Sequence, residues 1–436
     1  MFSGGSESNT GILQDAGEAH QISTLNSRCH IKARDVGSLN NTFRLSPTFR
    51  PDPATPMTTS PEALPVSSAP AKSRAKSEPE QRPSVLDMTR SELAESMVEM
   101  RQPKFRTKQI WKAIYNDGAK SFDEITTLPK LLRSNLTSTY DLPHLEPMMS
   151  LHSKQGSVDK VLFKLDDGEL IETVLMRYSA RGDSKSRRTV CISTQAGCAL
   201  GCTFCATGQQ GFRRDLSAGE IVSQVTHMNN VLADTSNDEE RVTNVVFMGM
   251  GEPMANYDNT MKAVNILNDD EGIRLGARNM TISTVGLVPQ ILRLAEEPYQ
   301  VNLAISLHAP NDRLRSRIMP VNARWNIETL IQACRTYIEK TNRRVSFEYV
   351  LIAGENDKPI HAEELIDLLD GMLCHVNIIP VNATEARYDR PDQGRIGKFR
   401  DLLRRGGIPV TVRMEKGTDI NAGCGQLRAR AISATE

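Results

Sequence analysis

Cys198, Cys202 and Cys205 stand within eight residues, in the run Cys198-Ala-Leu-Gly-Cys202-Thr-Phe-Cys205. Three thiolates in so short a loop can converge on one inorganic centre, and thiolates select zinc or iron–sulfur. Zinc sites usually draw on paired Cys-x2-Cys units, so a closed zinc knot here needs Cys191 or Cys424 as a fourth ligand. A single Cys-x3-Cys-x2-Cys run better suits a [4Fe–4S] cluster held by three cysteines, its fourth iron open to a substrate. Zinc stays as the alternative. Crowding of this kind in a chain of 436 residues points to metal or catalysis in a reducing compartment rather than to a disulfide framework. Cys29, Cys334 and Cys374 read as structural or incidental, and His227 and His375 as ordinary histidines.

The elements that must position this loop follow a βα rhythm. Short apolar strands are expected at Thr189–Ser193, Thr243–Met248, Met280–Thr284, Asn302–Leu307, Ser346–Leu351 and Val376–Pro380. Helical periodicity falls between them, over Ala218–Leu232, Asn259–Leu267, Val288–Ala295, Ile327–Lys340 and Ile360–Leu373. Repeated βα units build a parallel sheet with helices outside it, and six of them fit an incomplete α/β barrel. Polar or small residues occur where strands end: Gly249 to Pro253, Ser283 to Gly286, Ser306 to His308, and Asn382. At the C-terminal rim of such a barrel these residues and the cysteine loop converge on one site.

The same strings resemble a known family. Cys198-x3-Cys202-x2-Cys205 is similar to the signature of the radical S-adenosylmethionine (SAM) superfamily, and Gly249-Met-Gly251-Glu252-Pro253 to its glycine-rich SAM motif. A wider likeness, to the RlmN type of adenine-C2 methyltransferase, runs from about residue 90 to about 430. It is carried by Ser193 to Phe212, Asn244 to Pro253, Ala304 to Asp312 and Cys424-Gly-Gln-Leu427. The resemblance implies a partial (β/α) barrel, one [4Fe–4S] cluster on Cys198, Cys202 and Cys205, and SAM at Gly251, Glu252, Ser283, Ser306, Leu307, His308 and Asn382. It implies that Cys424 carries the methyl group, that Cys191 resolves the protein–RNA adduct through a transient disulfide, and that Glu172 accepts a proton. Val381 and Ala383 depart from the aromatic and the proline usual there. The implied partners are 23S rRNA, tRNA and an electron donor such as flavodoxin or ferredoxin. The sister activity, at C8 of adenine, shares the cluster and both extra cysteines, but Ala199-Leu-Gly201 and Gln209 to Phe212 look more like the C2 type.

Four segments are expected. Residues 1–85, rich in Ser, Thr, Pro and Ala, read as a disordered extension, with Met57 or Met88 as an alternative start. Residues 86–145 read as a small helical domain with apolar positions Leu86, Leu93, Met97, Phe105, Ile110, Trp111, Ile114, Tyr115, Leu128, Leu131, Leu132 and Leu136. It is locally basic through Arg101, Lys104, Arg106, Lys108, Lys112, Lys130 and Arg133, which reads either as a solvated face or as an RNA contact. Residues 146–186 form a β-rich connection with a hairpin at Ser157 to Tyr178, and residues 187–430 the barrel. Lys plus Arg equals Asp plus Glu, at 53 each, so net charge gives no global pull toward nucleic acid. Arg213, Arg214, Arg313, Arg315 and Arg317 lie near the expected rim and read either as phosphate contacts or as surface arginines. No apolar run reaches the ~20 residues of a membrane span. A cytoplasmic monomer is expected.

Overall fold

A computed structural model describes residues 82–427 apart from 181, 183–184, 236–239, 383–387 and 414–415. The extension up to residue 81 with Cys29, Ala383, and the last residues of the expected barrel segment lie outside the described residues. The described chain opens on a short turn in which Ser84 pairs with Asp141 and Val85 is buried, so this end of the expected extension packs with the helices that follow.

Helices α1 (Arg90–Glu99), α2 (Phe105–Tyr115) and α3 (Lys130–Thr139) make the small helical segment. Thr89 and Glu92 close a reciprocal capping box at the start of α1. Leu93, Met97, Ile110, Trp111, Leu132 and Leu136 form its core as their spacing predicts. Phe105 and Leu131, expected in that core, instead stand 56% and 75% exposed.

The sheet begins as an antiparallel meander of β1 (Glu146–His152), β2 (Val158–Lys164), β3 (Leu170–Tyr178) and β4 (Arg187–Cys191). The expected hairpin is β2–β3; β1 adds a third strand. A separate hairpin of β5 (Gln195–Gly197) and β6 (Phe212–Asp215) encloses the cysteine loop and α4 (Ala206–Gln210). From β4 the sheet turns parallel through α5 (Ala218–Thr235), β7 (Asn244–Phe247), α6 (Tyr257–Asn268), β8 (Met280–Thr284), α7 (Val288–Leu294) and β9 (Asn302–Ser306). It continues through α8 (Asp312–Ile318), α9 (Ile327–Thr341), β10 (Val345–Leu351), α10 (Pro359–Leu369), β11 (Cys374–Pro380), α11 (Gln393–Arg405) and β12 (Val410–Val412). Six βα units are present as expected, and β12 extends the parallel run by one short strand. Among the described residues the sheet has ten strands in the order β1-β2-β3-β4-β7-β8-β9-β10-β11-β12.

Alternation along these strands separates two faces. Val190, Val245, Phe347, Val376 and Ile378 are buried in the main core. The intervening Thr189, Asn244, Ser346, His375, Asn377 and Thr411 line a polar cavity on the opposite face. Further along the same strands, this face becomes the cleft described next, and the two spaces share Met248, Glu348 and Arg413 in their walls.

Candidate active site

The cysteine loop is fixed at both ends by its hairpin and by distant chain. Gly197 has φ +75° and a Cβ there would lie 2.0 Å from the Gly211 carbonyl oxygen, so only glycine lets the loop leave β5 at this angle. Cys198 N–H then donates to that carbonyl at 2.9 Å, Thr203 N–H to Ile318 O at 3.0 Å, and Ala206 N–H to Gly425 O at 2.8 Å. The last of these ties the loop to the segment bearing Cys424.

The glycine-rich turn after β7 is strapped to the end of β4. Ser193 Oγ accepts from Met250 N–H at 3.0 Å and donates to Glu172 O at 2.7 Å. Gly251 has φ +97° and its absent Cβ leaves room for Gln195, which would otherwise lie at 2.5 Å. Gln195 Oε1 accepts from Glu252 N–H at 2.8 Å. The Glu252 carboxylate is buried and accepts from Met254 N–H at 3.1 Å and Val285 N–H at 3.0 Å. Burial nevertheless pushes its carboxyl up to about 7, the hydrogen bonds opposing. A cation delivered to this cleft restores the charge that burial disfavours.

These pieces line one cleft, with about 970 Å³ of unfilled space that is partly open to solvent. Cys198, Cys202, Cys205, Gly251, Glu252, Ser283, Ser306, His308, Asn382 and Cys424 all stand in its wall. Asn382 Nδ2 donates to Cys424 O at 3.1 Å. His308 Nδ1 accepts from Val350 N–H at 3.0 Å. Leu307 is the exception among the expected SAM residues: its side chain is fully buried, its N–H donates to Glu348 O, and its carbonyl accepts from Arg315. It packs beneath the cleft instead of facing it.

Cys191 ends β4, on the strand face that carries Thr189 into the polar cavity. Burial pushes its thiol up to about 12, with the Cys424 charge adding and Arg413 opposing. Cys191 and Cys424 are not joined in a disulfide. Glu172, on β3, is buried and ion-paired with Lys160 at 2.8 Å, and Lys160 also donates to Asn421 O at 3.3 Å. Neither Cys191 nor Glu172 lines the cleft. Cys191 lies on β4, the neighbour of the cleft-lining β7, and Glu172 one strand further out on β3.

The donor set fits an iron–sulfur cluster better than zinc. Among the described residues no three Cys, His, Asp or Glu side chains close on one ion-sized centre. The Cys202 thiol is buried, and burial raises it and Cys198, the latter to about 12, so their ionisation calls for a positive centre between them. Cys191 and Cys424 have their own neighbours and do not complete a knot.

Sequence reasoning missed three site residues: Arg413, Glu348 and Lys160. Arg413 follows β12, a strand of three residues, and Lys160 sits in β2 where a lysine reads as solvated. One expectation about the rim arginines is corrected. Arg315 is completely buried and donates to the carbonyls of Val285, Ser306, Leu307 and Trp325 and to Asn322 Oδ1, so it holds strand ends together and cannot meet phosphate. Arg214 is held by Asp167 and Glu220, and Arg317 pairs with Glu355 at 2.6 Å. Arg213 and Arg313 are exposed.

The chain matches two family models: the radical SAM superfamily over residues 192–369, and the ribosomal RNA large subunit methyltransferase N-terminal domain over residues 84–141. It is 46% identical over 350 residues to a protein of Bacillus cytotoxicus named "probable dual-specificity RNA methyltransferase RlmN", covering 80% of this chain and 94% of that one. A protein of Alkaliphilus oremlandii with the same name is 47% identical over 349 residues, covering 80% and 98%. The crystal structure of a radical SAM methyltransferase from Sphaerobacter thermophilus superposes with a TM-score of 0.76 at 49% identity, over 80% of this chain and all of that one. The cysteine loop, the glycine turn and the extra cysteines thus stand on a shared scaffold, and the chain belongs to the RlmN family of radical SAM methyltransferases.

Proposed function

We propose that the chain methylates C2 of adenosine in 23S rRNA and tRNA, with Cys424 as the methyl carrier. The observation that carries this reading is the cleft itself, in which Cys424 faces the three-cysteine loop, with Cys191 close enough to feel its charge. Cys198, Cys202 and Cys205 would hold the cluster. Gly251, Glu252, Ser283, Ser306, His308 and Asn382 would hold SAM, with Leu307 supporting them from below. When bound, the cluster supplies the electron that splits SAM and gives a 5′-deoxyadenosyl radical.

The chain's own residues account for the rest. C2 of adenine is not nucleophilic, so polar displacement from SAM does not methylate it, whereas a thiolate accepts a methyl group readily. Cys424 takes that methyl and holds it at the cleft, where loss of one hydrogen leaves a carbon radical beside the base. The base must leave its stack to meet it. Glu172, kept in its ion pair by Lys160, takes a proton. Once the methylene carbon has bonded to C2 and the unpaired electron has passed to a one-electron acceptor, a role the bound cluster could serve, the Cys191 thiolate attacks the Cys424 sulfur. The pair of the broken S–C bond goes to that carbon, which takes a proton and leaves as the methyl group of the base, and a disulfide remains. The order is set by charge: Cys191 is buried and opposed by the Cys424 thiolate, so it ionises more readily once Cys424 is alkylated and neutral.

The segment 86–145 joins the barrel as an RNA-contacting accessory domain, while 146–186 connects the two. We assign the protein to the cytoplasm as a monomer supplied by a flavodoxin or ferredoxin; no helix among the described residues is long and apolar enough to cross a membrane. The test is a pair of variants. Cys424→Ala should assemble a full [4Fe–4S] spectrum and methylate no RNA, and Cys202→Ala should lose the cluster. A Cys424→Ala protein that still methylates, or a Cys202→Ala protein with the full spectrum, refutes the role given to that residue.

A further inference from the structure

Accepting a methyl group requires Cys424 as a thiolate, and a free thiol with a pKa of about 8.5 is mostly protonated near neutral pH. We propose that Arg413 is a further catalytic residue, whose guanidinium holds the Cys424 sulfur as the thiolate that receives the methyl group. The proposal rests on the methyl-carrier reading of Cys424.

The geometry is direct. Arg413 Nη1 donates to Cys424 Sγ at 2.8 Å. The arginine is fixed at the main chain, where its N–H donates to Ile378 O at 2.8 Å just past β12. Its charge faces Cys424 first, then Glu348 on β10, Cys191 on β4 and Tyr178 on β3, and these neighbours raise its own pKa against the effect of burial. A guanidinium does not give up its proton, so in this pair the proton that leaves is the thiol's. Glu348 is the competitor for Arg413. It is buried, burial pushes its carboxyl upward, and Asn377 Nδ2 supplies its hydrogen bond at 2.8 Å. On the far side, Cys424 meets the neutral amide of Asn382 through its carbonyl, and the Lys160 ammonium holds Asn421 in the same segment.

The step balances without redox. The Cys424 proton goes to solvent, and its sulfur lone pair forms the new S–CH₃ bond as the sulfonium S–CH₃ bond of SAM breaks. The bonding pair stays on the departing sulfur, giving the neutral thioether S-adenosylhomocysteine. Cys424 becomes a neutral methyl thioether, and Arg413, protonated throughout, loses the anion it faced.

The test measures the thiolate without RNA or methylation. Anaerobically reconstituted protein, without SAM, is treated with iodoacetamide from about pH 6 to about pH 10, bracketing the free-thiol value. The alkylation rate of the Cys424 peptide is read by mass spectrometry in the wild type, Arg413→Gln and Arg413→Lys. The wild-type midpoint should fall below that of a free thiol. Arg413→Gln should move it up by at least about one unit, or about tenfold slower alkylation near neutral pH, and Arg413→Lys should recover part of the loss. Cluster absorbance should be unchanged in variants that fold. A wild-type midpoint at or above the free-thiol value overturns the proposal whatever the variants do, as does an Arg413→Gln profile that coincides with the wild type. A low midpoint followed by no Cys424 methylation when SAM is added leaves Arg413 as a thiolate holder and sinks the carrier reading instead.

Discussion

His308 combines a strained backbone with a buried imidazole. Its φ of +60° lies in the left-handed region, a cost of about 1–3 kcal/mol for a residue other than glycine. Its partners enforce it: Asn356 Nδ2 donates to its carbonyl at 2.8 Å, Val350 N–H to its Nδ1, and its ring stands edge-on to Phe204 at 4.9 Å. Burial, helped by the Arg315 charge, pushes the imidazolium down from 6.5 to about 3. The sign follows from linkage: below pH 6.5 the unfolded chain takes up a proton that the folded chain refuses, so stability present above that pH is lost as it falls toward 3. By pH 4 the loss amounts to roughly 3 kcal/mol. His308→Asn keeps an acceptor near the Nδ1 position and tolerates the left-handed backbone. Urea unfolding at several pH values should show a shallower acid slope in this variant, and an unchanged slope would remove His308 from the account.

At the scale of elements, the site depends on strand ends meeting in one plane, and Arg315 on α8 holds two of them. It donates to Val285 O at 2.5 Å after β8, and to Ser306 O at 3.4 Å and Leu307 O at 3.2 Å at the end of β9. Arg315→Met should leave these carbonyls buried and unpaired, costing about 3–5 kcal/mol. Arg315→Lys should restore little, because an ammonium cannot span acceptors that a planar fork reaches together. Thermal unfolding with cluster loading measures both, and a Lys variant as stable as the wild type would contradict the anchoring role. Sequence could not reveal this anchor, since its acceptors are main-chain carbonyls from distant strands and its neighbours Arg313 and Arg317 are exposed. By contrast Glu252, Ser283, Ser306 and Asn382 were legible because each follows an apolar run that marks a strand. β12 escaped notice with only three residues, and Arg413 with it. β1 escaped because its exposed burial pattern carries little apolar alternation. Phe105 and Leu131 fit a helical period yet face outward, since periodicity locates a stripe without fixing what covers it.

In the whole molecule, a polar face and an apolar one divide the work of a single sheet. The apolar face carries the core; the polar face ends in the cleft, which cysteines from the β5–β6 loop and the C-terminal segment line, with Cys191 of β4 outside its wall. That segment crosses back over the meander: Lys154 N–H donates to Asp419 at 2.8 Å and Lys416 Nζ to Arg177 O at 2.6 Å. Cys424 is thereby brought to a site whose metal loop lies over 200 residues earlier, a closure that no local pattern encodes. Under the proposed function this closure serves a methyl carrier. Reconstituted protein, reductant and trideuteromethyl-SAM should be incubated with unmodified 23S rRNA fragments and tRNA, and the adenosines examined by mass spectrometry. The expected product is 2-methyladenosine whose methyl group keeps two deuteriums, because one is removed while the carbon sits on Cys424. A methyl group that keeps all three would mean direct transfer from SAM and would contradict it, and a product methylated at C8 would preserve the carrier while moving the chemistry to the sister activity.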